Sequence, residues 1–450
     1  MKSSLLLLSV WFVLAGVPLY ASDEAHAPSH HVSKFLSDRD SDPKLNSVMV
    51  GFPPPIDKRV TLPDSNFFSF PNLRWSVCNM RALLPTASVS RNPTFYRKLP
   101  TKLDNRIESI TFKTLTGEPM SFSESLASNY TDGLLIMHNG EIVYEKYRGC
   151  LRPQDNHAAM SMTKSITGLL AEILISQGTL NESARVDTII PELSTSGFGD
   201  ATVRQVMDMT TSIQYSENYA DPNADIWQYS YAANPLPKPK DYQGPVGYFE
   251  YLVTVKKANE HGKKFGYKTV NSDVLGWILA RVSGKKFNEL ASDLLWSKLG
   301  MEHSADITVD ALGTPFAGGG LSASLRDLAR VGDVMLNQGV LEGKQVLPKS
   351  VIASIRQGGD KKAFGYGGFS TLPEGSYRSM WWHFHNENNA YAARGVHGQT
   401  IYIDPTANMV LVRLASHPVA GNSVIDVTSL PAYQAVADYL VSQARKQNGQ

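Results

Sequence analysis

Apolar residues along this chain recur with two periods, and the changes between them mark its organisation. The stretch 133–149, GLLIMHNGEIVYEKYRG, holds two β-prone runs on either side of Asn139-Gly140. Both turn residues tolerate a positive φ, so the pair predicts a tight hairpin. Directly afterwards the period lengthens. Met162, Ile166, Leu169, Leu170, Ile173 and Leu174 follow at spacings of three and four, forming one face of a strongly apolar helix. Helical spacing dominates from about 180 to 300, most clearly in TVRQVMDMTTSI (202–213) and NSDVLGWILARVSG (271–284). Between these lies an aromatic stretch, 215–245, read as a long loop of the kind that serves function. SLRDLARVGDVMLNQG (324–339) is a further helix, with Ser324 as N-cap, Asp327 three residues on, and Gly339 as its stop. Strand-like runs return at 377–386, 389–396, 400–405 and 409–416, and an amphipathic helix closes the chain at 431–446. This order predicts an α/β (α+β) fold. An antiparallel sheet is assembled from both ends of the chain and flanked by helices, with a helical region inserted in the middle. No internal repeat is visible.

The N-terminal hundred residues follow neither period. Lys2, the apolar run LLLLSVWFVLA (5–15), the helix-breaking Pro18 and the small Ala21 predict a cleaved signal peptide over 1–21. The run falls short of the roughly 20 apolar residues a membrane span needs. Residues 22–50 are polar and rich in Ser, Asp and His, read as a flexible arm in which His26, His30 and His31 are solvated. GFPPPIDKRVTLP (51–63) is extended, whereas FFSFPNLRWSVCNMRALLP (67–85) is too apolar for a linker and should pack on the main body. The expected division is a signal over 1–21, a partly flexible N-terminal arm over 22–104 and one domain over 105–450, with its helical part at about 180–300. Acids and bases are nearly equal, with a net charge of +1, so no basic surplus points to nucleic-acid binding. Cys78 and Cys150 suit an oxidising compartment, either as one disulfide or as two separate structural thiols. Together these features predict a periplasmic or secreted protein with no stable membrane span after cleavage.

Candidate chemistry begins at Ser161-Met162-Thr163-Lys164. The same Ser-x-x-Lys spacing recurs at Ser41–Lys44, in the polar arm with Pro43 inside it, and at Ser283–Lys286, where Gly284 marks a helix end. Only Ser161 opens a strongly apolar helix. A spacing of three puts Ser161 and Lys164 on one helix face. The first-turn N–H groups lack intrahelical acceptors, so the Ser161 amide is available to an oxyanion. An electropositive helix start and burial both favour a neutral lysine amine, as a general base requires. On these residues alone, Ser161 as nucleophile and Ser161 as helix cap stand level. Tyr267, just ahead of the helix at 271–284, can supply a proton to a leaving group or can simply pack. His383 and His385 fall on one face of a predicted strand, but the pattern supplies no third ligand, so no metal is expected.

The succession SMTK, FGYKTVNSDVLGWILARVSG and ARGVHGQTIYIDP resembles the three ordered motifs of the serine β-lactamase and D,D-peptidase superfamily. MSMTKSITGLLAEILISQGTL, IQYSENYADP, GGGLSASLRDLARVG and GQTIYIDP are most similar to its class C-like esterases and 6-aminohexanoate-oligomer (nylon oligomer) hydrolases. The likeness spans roughly 105–445 and touches the arm at GFPPP and RWSVCNMRALLPTA. It implies a β-lactamase/transpeptidase-like fold with Ser161 as acyl nucleophile. Lys164 would be the base, or would hold Tyr267 ionised as the base, and Tyr267 would protonate the leaving group. Aligning the third motif with Ala393-Arg394-Gly395 makes the Val396 N–H the second oxyanion donor. Gly395 then allows close backbone approach, and His397 stands in the following turn as a candidate substrate contact. Tyr219 matches a tyrosine that covers substrate in the nylon-oligomer branch, while Trp227 and Tyr229 either line the cleft or pack in the core.

Two departures narrow the expectation. Thr269 stands where β-lactamases usually carry Asn, and Ala393 stands where the third motif usually opens with Lys. The missing Lys removes the obvious partner of a substrate carboxylate, and strand alternation turns Arg394 to the other face. The acid that would hold a substrate ammonium falls near Ser230 here. The resulting expectation is an exported serine hydrolase of small esters or amides, without cofactor or metal, with a homodimer left open. β-Lactamase or D,D-peptidase activity, or a non-catalytic penicillin-binding-type sensor, are the alternatives.

Overall fold

The computed structural model describes residues 35–62, 66–218, 221–233 and 238–447. The predicted signal segment, His26, His30, His31 and Tyr219 lie outside the described residues. In chain order the strands that build the site region are β1 (Thr86–Val89), β2 (Thr131–His138), β3 (Glu141–Tyr147), β4 (His157–Ala158), β5 (Ala305–Thr308), β6 (Leu321–Ala323), β7 (Ser376–Arg378), β8 (Trp381–His383), β9 (Tyr391–Gly395), β10 (Gln399–Asp404) and β11 (Met409–Ala415). The principal helices are α1 (Met162–Ser176), α2 (Asp225–Ala233), α3 (Tyr248–Thr254), α4 (Val270–Ser283), α5 (Leu325–Leu336) and α6 (Asn422–Gln447).

The hairpin β2–β3 turns at Asn139 and Gly140, both at positive φ, as their dipeptide requires. Its free edge pairs with β11, Leu135 opposite Val412, so the sheet runs β7-β8-β9-β10-β11-β2-β3 with every neighbouring pair antiparallel. Both ends of the chain therefore meet in one sheet. Alternation along its strands feeds two cores. Leu135, Ala393, Ile401 and Val412 join α1, α4 and α5 in the larger one. Leu134, Ile136, Ala392, Tyr402 and Leu411 pack under Tyr433, Val436 and Leu440 of α6. A second sheet, ordered β1-β5-β6-β4, leads the chain into α1: the Ala159 N–H donates to the Leu321 carbonyl at 2.8 Å.

Several elements differ from their sequence expectation. The 202–213 segment forms a helix only over Val203–Met207, capped by Thr202, because Met209 turns to positive φ and the chain becomes extended at Ile213–Gln214. The aromatic stretch 215–245 is not a plain loop, since α2 forms within it. The 377–386 run breaks at Ser379 and Met380, both at positive φ, into β7 and β8. His383 consequently ends β8 and His385 lies beyond the strand, so they do not share a strand face as expected. The His383 ring stacks on Tyr391, and the His385 Nε2 bonds the Ser376 hydroxyl at 2.7 Å. The closing helix begins at Asn422 and carries Pro431 in its interior. The Val427 carbonyl, which Pro431 has no N–H to satisfy, instead accepts the Leu115 N–H at 2.9 Å.

Residues 35–50 are not the flexible segment expected of 22–50, for they satisfy a fully buried cation. The Arg74 guanidinium pairs with Asp38 at 2.8 Å and Asp132 at 3.2 Å, and donates to the Ser41 hydroxyl at 2.9 Å. Ser41, from the second Ser-x-x-Lys match, thus has a structural task. Cys78 and Cys150 are joined in a disulfide that fastens the arm to the end of the hairpin. Among the described residues no helix is long and apolar enough to cross a membrane.

Candidate active site

Ser161 occupies the N-cap position of α1, yet its side chain makes no capping hydrogen bond. Its hydroxyl instead accepts from the Lys164 Nζ at 3.0 Å. Lys164 is buried, while Ser161 at the helix start is only half-buried. The same Nζ donates to the Gly318 carbonyl at 2.5 Å, just ahead of β6. From the other side comes the ring of Tyr267, its centroid 5.3 Å from the Nζ. That ring rests on Trp382 at 5.3 Å and meets Tyr377 edge-on at 6.1 Å. Three segments distant in sequence thus converge on the Lys164 amine. The third Ser-x-x-Lys match does nothing comparable: the Ser283 hydroxyl bonds the Leu279 carbonyl, and Gly284 ends α4 in the left-handed conformation.

Burial pushes the Lys164 amine below the ordinary lysine range, opposed by the charges of Glu217 and Asp273. Burial pushes the Asp273 carboxyl up, opposed by the hydrogen bond from Tyr229 and by Lys164. An amine that is readily neutral, within bonding distance of a serine hydroxyl, can remove its proton.

The backbone around Ser161 suits a developing negative charge. The N–H groups of Met162, Thr163 and Lys164 donate to carbonyls three residues back, whereas among the described residues no backbone carbonyl takes the Ser161 N–H. Met160, at positive φ, sets the sharp entry into the helix. Gly395 at the end of β9 lies directly against this entry: a Cβ there would stand 2.8 Å from the Ala159 oxygen and 2.9 Å from the Ser161 nitrogen. The next residue is Val396, whose side chain, like Met160, packs against the arm cluster of Leu73, Val77 and Met80. The apolar arm therefore braces both flanks of the site.

The remaining sequence candidates separate. His397 is a left-handed turn residue with a buried ring; its Nδ1 lies 2.7 Å from the His417 carbonyl, and burial pushes it down to about 4. Ala393 faces the larger core beside α1, and Arg394 faces away, paired with Asp426 of α6 and stacked over Trp382 at 5.4 Å. Trp227 donates through Nε1 to the Asp221 carbonyl, and the Ser230 hydroxyl bonds the Ile226 carbonyl. Tyr229 is a core residue rather than a cleft wall, its hydroxyl on Asp273 at 2.6 Å.

Three residues near Lys164 escaped the sequence reading: Asp273, Gly318 and Glu217. Asp273 had a signal, since a carboxylate at helical spacing from Val270 and Trp277 is a charge on an apolar face. Glu217 accepts from the Thr269 N–H and hydroxyl, both at 2.6 Å, and so ties the segment before Tyr219 to the Tyr267 motif.

Comparison with known proteins shows the family. A sequence profile of the Beta-lactamase family matches residues 126–427, well over half of the chain. The 6-aminohexanoate-dimer hydrolase of Paenarthrobacter ureafaciens is 36% identical over 350 residues, covering 77% of this chain and 86% of the relative. A Bacillus anthracis structure with a provisional 6-aminohexanoate-dimer hydrolase assignment superposes with a TM-score of 0.79 at 32% identity, over 86% of this chain and 99% of its own. A penicillin-binding protein homologue from Caulobacter crescentus shares the fold at a TM-score of 0.55 and 15% identity, over 75% of this chain and all of its own. The chain belongs to the β-lactamase family and is a serine hydrolase of the β-lactamase type.

Proposed function

We propose that this protein is an exported hydrolase of small esters or amides that works through an acyl-enzyme on Ser161. The observation that carries the reading is the 3.0 Å contact between the Lys164 amine and an uncapping Ser161 hydroxyl. Lys164 takes the Ser161 proton as Oγ attacks the carbonyl carbon. The N–H groups of Ser161 and Val396 receive the oxyanion. Tyr267 donates a proton to the leaving amine or alkoxide as the C–N or C–O bond breaks, leaving the acyl group on Oγ. Water, deprotonated by the same Lys164–Tyr267 pair, then cleaves the acyl ester and returns the proton to Ser161.

The relatives named for 6-aminohexanoate-dimer hydrolysis support amide substrates. Ser230 at the place of an ammonium-binding acid, and Ala393 at the place of a carboxylate-binding lysine, favour a substrate uncharged near the scissile bond. Tyr219 is assigned to cover it. The 1–21 pattern and the Cys78–Cys150 disulfide support a periplasmic or extracellular location.

Brief exposure to p-nitrophenyl butyrate, followed by intact-protein mass measurement, tests the mechanism. The wild-type protein is expected to gain one butyryl group with a burst of nitrophenol, and Ser161→Ala neither. Identical behaviour of the two would leave Ser161 as a structural residue and favour a non-catalytic sensor.

A further inference from the structure

Asp273 is 2% exposed on α4, the helix that Tyr267 precedes, and among the described residues no cation lies within ion-pair distance of it. Tyr229 donates to its Oδ2 at 2.6 Å and the Gly318 N–H donates to its Oδ1 at 3.1 Å. Two oxygens that both accept suit the ionised carboxylate, which burial opposes by pushing the group up to about 7. The carbonyl of that same Gly318 accepts from Lys164. One glycine thus joins a buried acid to the amine that bonds Ser161. Nothing larger fits between them: a Cβ on Gly318 would lie 2.6 Å from the Thr269 Cγ2 and 2.8 Å from the Asp273 Oδ2.

We propose that Asp273 is a positioning residue for the reaction: through Gly318, and anchored by Tyr229, it holds the Lys164 amine on Ser161 and sets the pH at which that amine takes the serine proton. The proposal rests on the Ser161–Lys164 reading of the site. The groups facing Lys164 are Ser161 from its own helix, Tyr267 and Asp273 from α4 and its lead-in, Glu217 from the segment before α2, and the Gly318 carbonyl. Those facing Asp273 are Tyr229 of α2, Tyr248 of α3 and Lys164. Glu217 is half-buried and engaged by Thr269, so Asp273 is the fully buried negative charge in the set. Its field favours the ammonium form of Lys164 and offsets part of the burial that opposes it. A base balanced in this way takes and returns a proton near the working pH.

Asp273→Asn removes the charge with little change of shape. Two readouts follow it: the acid limb of kcat/KM for p-nitrophenyl butyrate, and the titration of the Lys164 13Cε resonance, assigned by its loss in Lys164→Ala. Both are expected to move to lower pH by about one unit or more. Tyr229→Phe, which removes one donor from the carboxylate, should move them the same way by less, and it carries the test if Asp273→Asn does not fold. A folded variant whose Lys164 resonance titrates at the wild-type pH overturns the proposal. A shifted resonance in a protein that ester substrates never acylate upholds the Asp273–Lys164 link and removes the hydrolase reading instead.

Discussion

Gly395→Ala tests the oxyanion site without touching a side chain that reacts. The added methyl would sit 2.9 Å from the Ser161 nitrogen and 2.8 Å from the Ala159 oxygen. Ordinary contact needs roughly 3.5 Å, so β9 and the start of α1 must part by about 0.6 Å. An oxyanion donor works within about 2.7–3.1 Å of the oxygen it stabilises, and a displacement of that size takes the Val396 N–H out of range. Loss of one such donor costs on the order of 10²–10³ in kcat, equivalent to about 3–4 kcal/mol of transition-state stabilisation. KM should change far less, because the interaction strengthens only as charge develops. Overpacking adds a stability cost of about 1–3 kcal/mol, so the denaturation midpoint is to be measured beside the kinetics to separate the two effects. The assay is steady-state hydrolysis of p-nitrophenyl butyrate with single-turnover acylation of Ser161. A folded Gly395→Ala protein with wild-type kcat would refute the assignment of this backbone approach to oxyanion binding.

Lys164→Ala should abolish turnover while the fold survives; near-normal turnover in the folded variant would sink the mechanism. Burial holds His397 and His417 down to about 4, against an ordinary 6.5. The unfolded chain therefore binds protons in that window that the folded one refuses. Stability contributed above pH 6.5 should fall away towards pH 4, on the order of 1–3 kcal/mol per histidine. In His397→Asn, which keeps the left-handed turn, urea midpoints should decline less between pH 7 and 4.5, and an equal decline would contradict the reasoning. Replacing Cys78 and Cys150 together by Ser opens a loop of 72 residues, for which chain entropy predicts a loss of up to about 4 kcal/mol. An unchanged guanidinium midpoint would show that the arm is held without the disulfide.

Local rules were readable where one residue type has one conformational use. Asn139-Gly140 and Gly284 carried their turns in plain sight, and the spacing behind Ser161 announced α1. The turn at Ser379 and Met380 carried no such signal, because neither residue favours the positive φ that both adopt. Pro431 misled for the opposite reason: it reads as a helix start, and only the distant Leu115 N–H makes an interior position tolerable. Residues 35–50 look like a solvated arm until Arg74 is known to be buried beneath them. At the site, the Ser161–Lys164 pair lies within one helix and was legible, whereas Gly318 and Asp273 join it through packing among three segments. Tyr229 read equally well as cleft wall or core until its bond to Asp273 placed it.

The pairing of β2 with β11 has a consequence for how this chain comes into being. Residues 131–138 must wait for residues 409–415 before their outer edge is covered. Until residues 409–415 have been made, the early hairpin exposes a row of unmatched backbone groups, the kind of edge that recruits neighbouring chains. Such long-range closure is slow, because loop entropy is lost before the contacts that reward it form. A protein cut short before Met409 should therefore not be a smaller enzyme but an aggregating fragment. Strand β11 thus acts as the latch on the early hairpin.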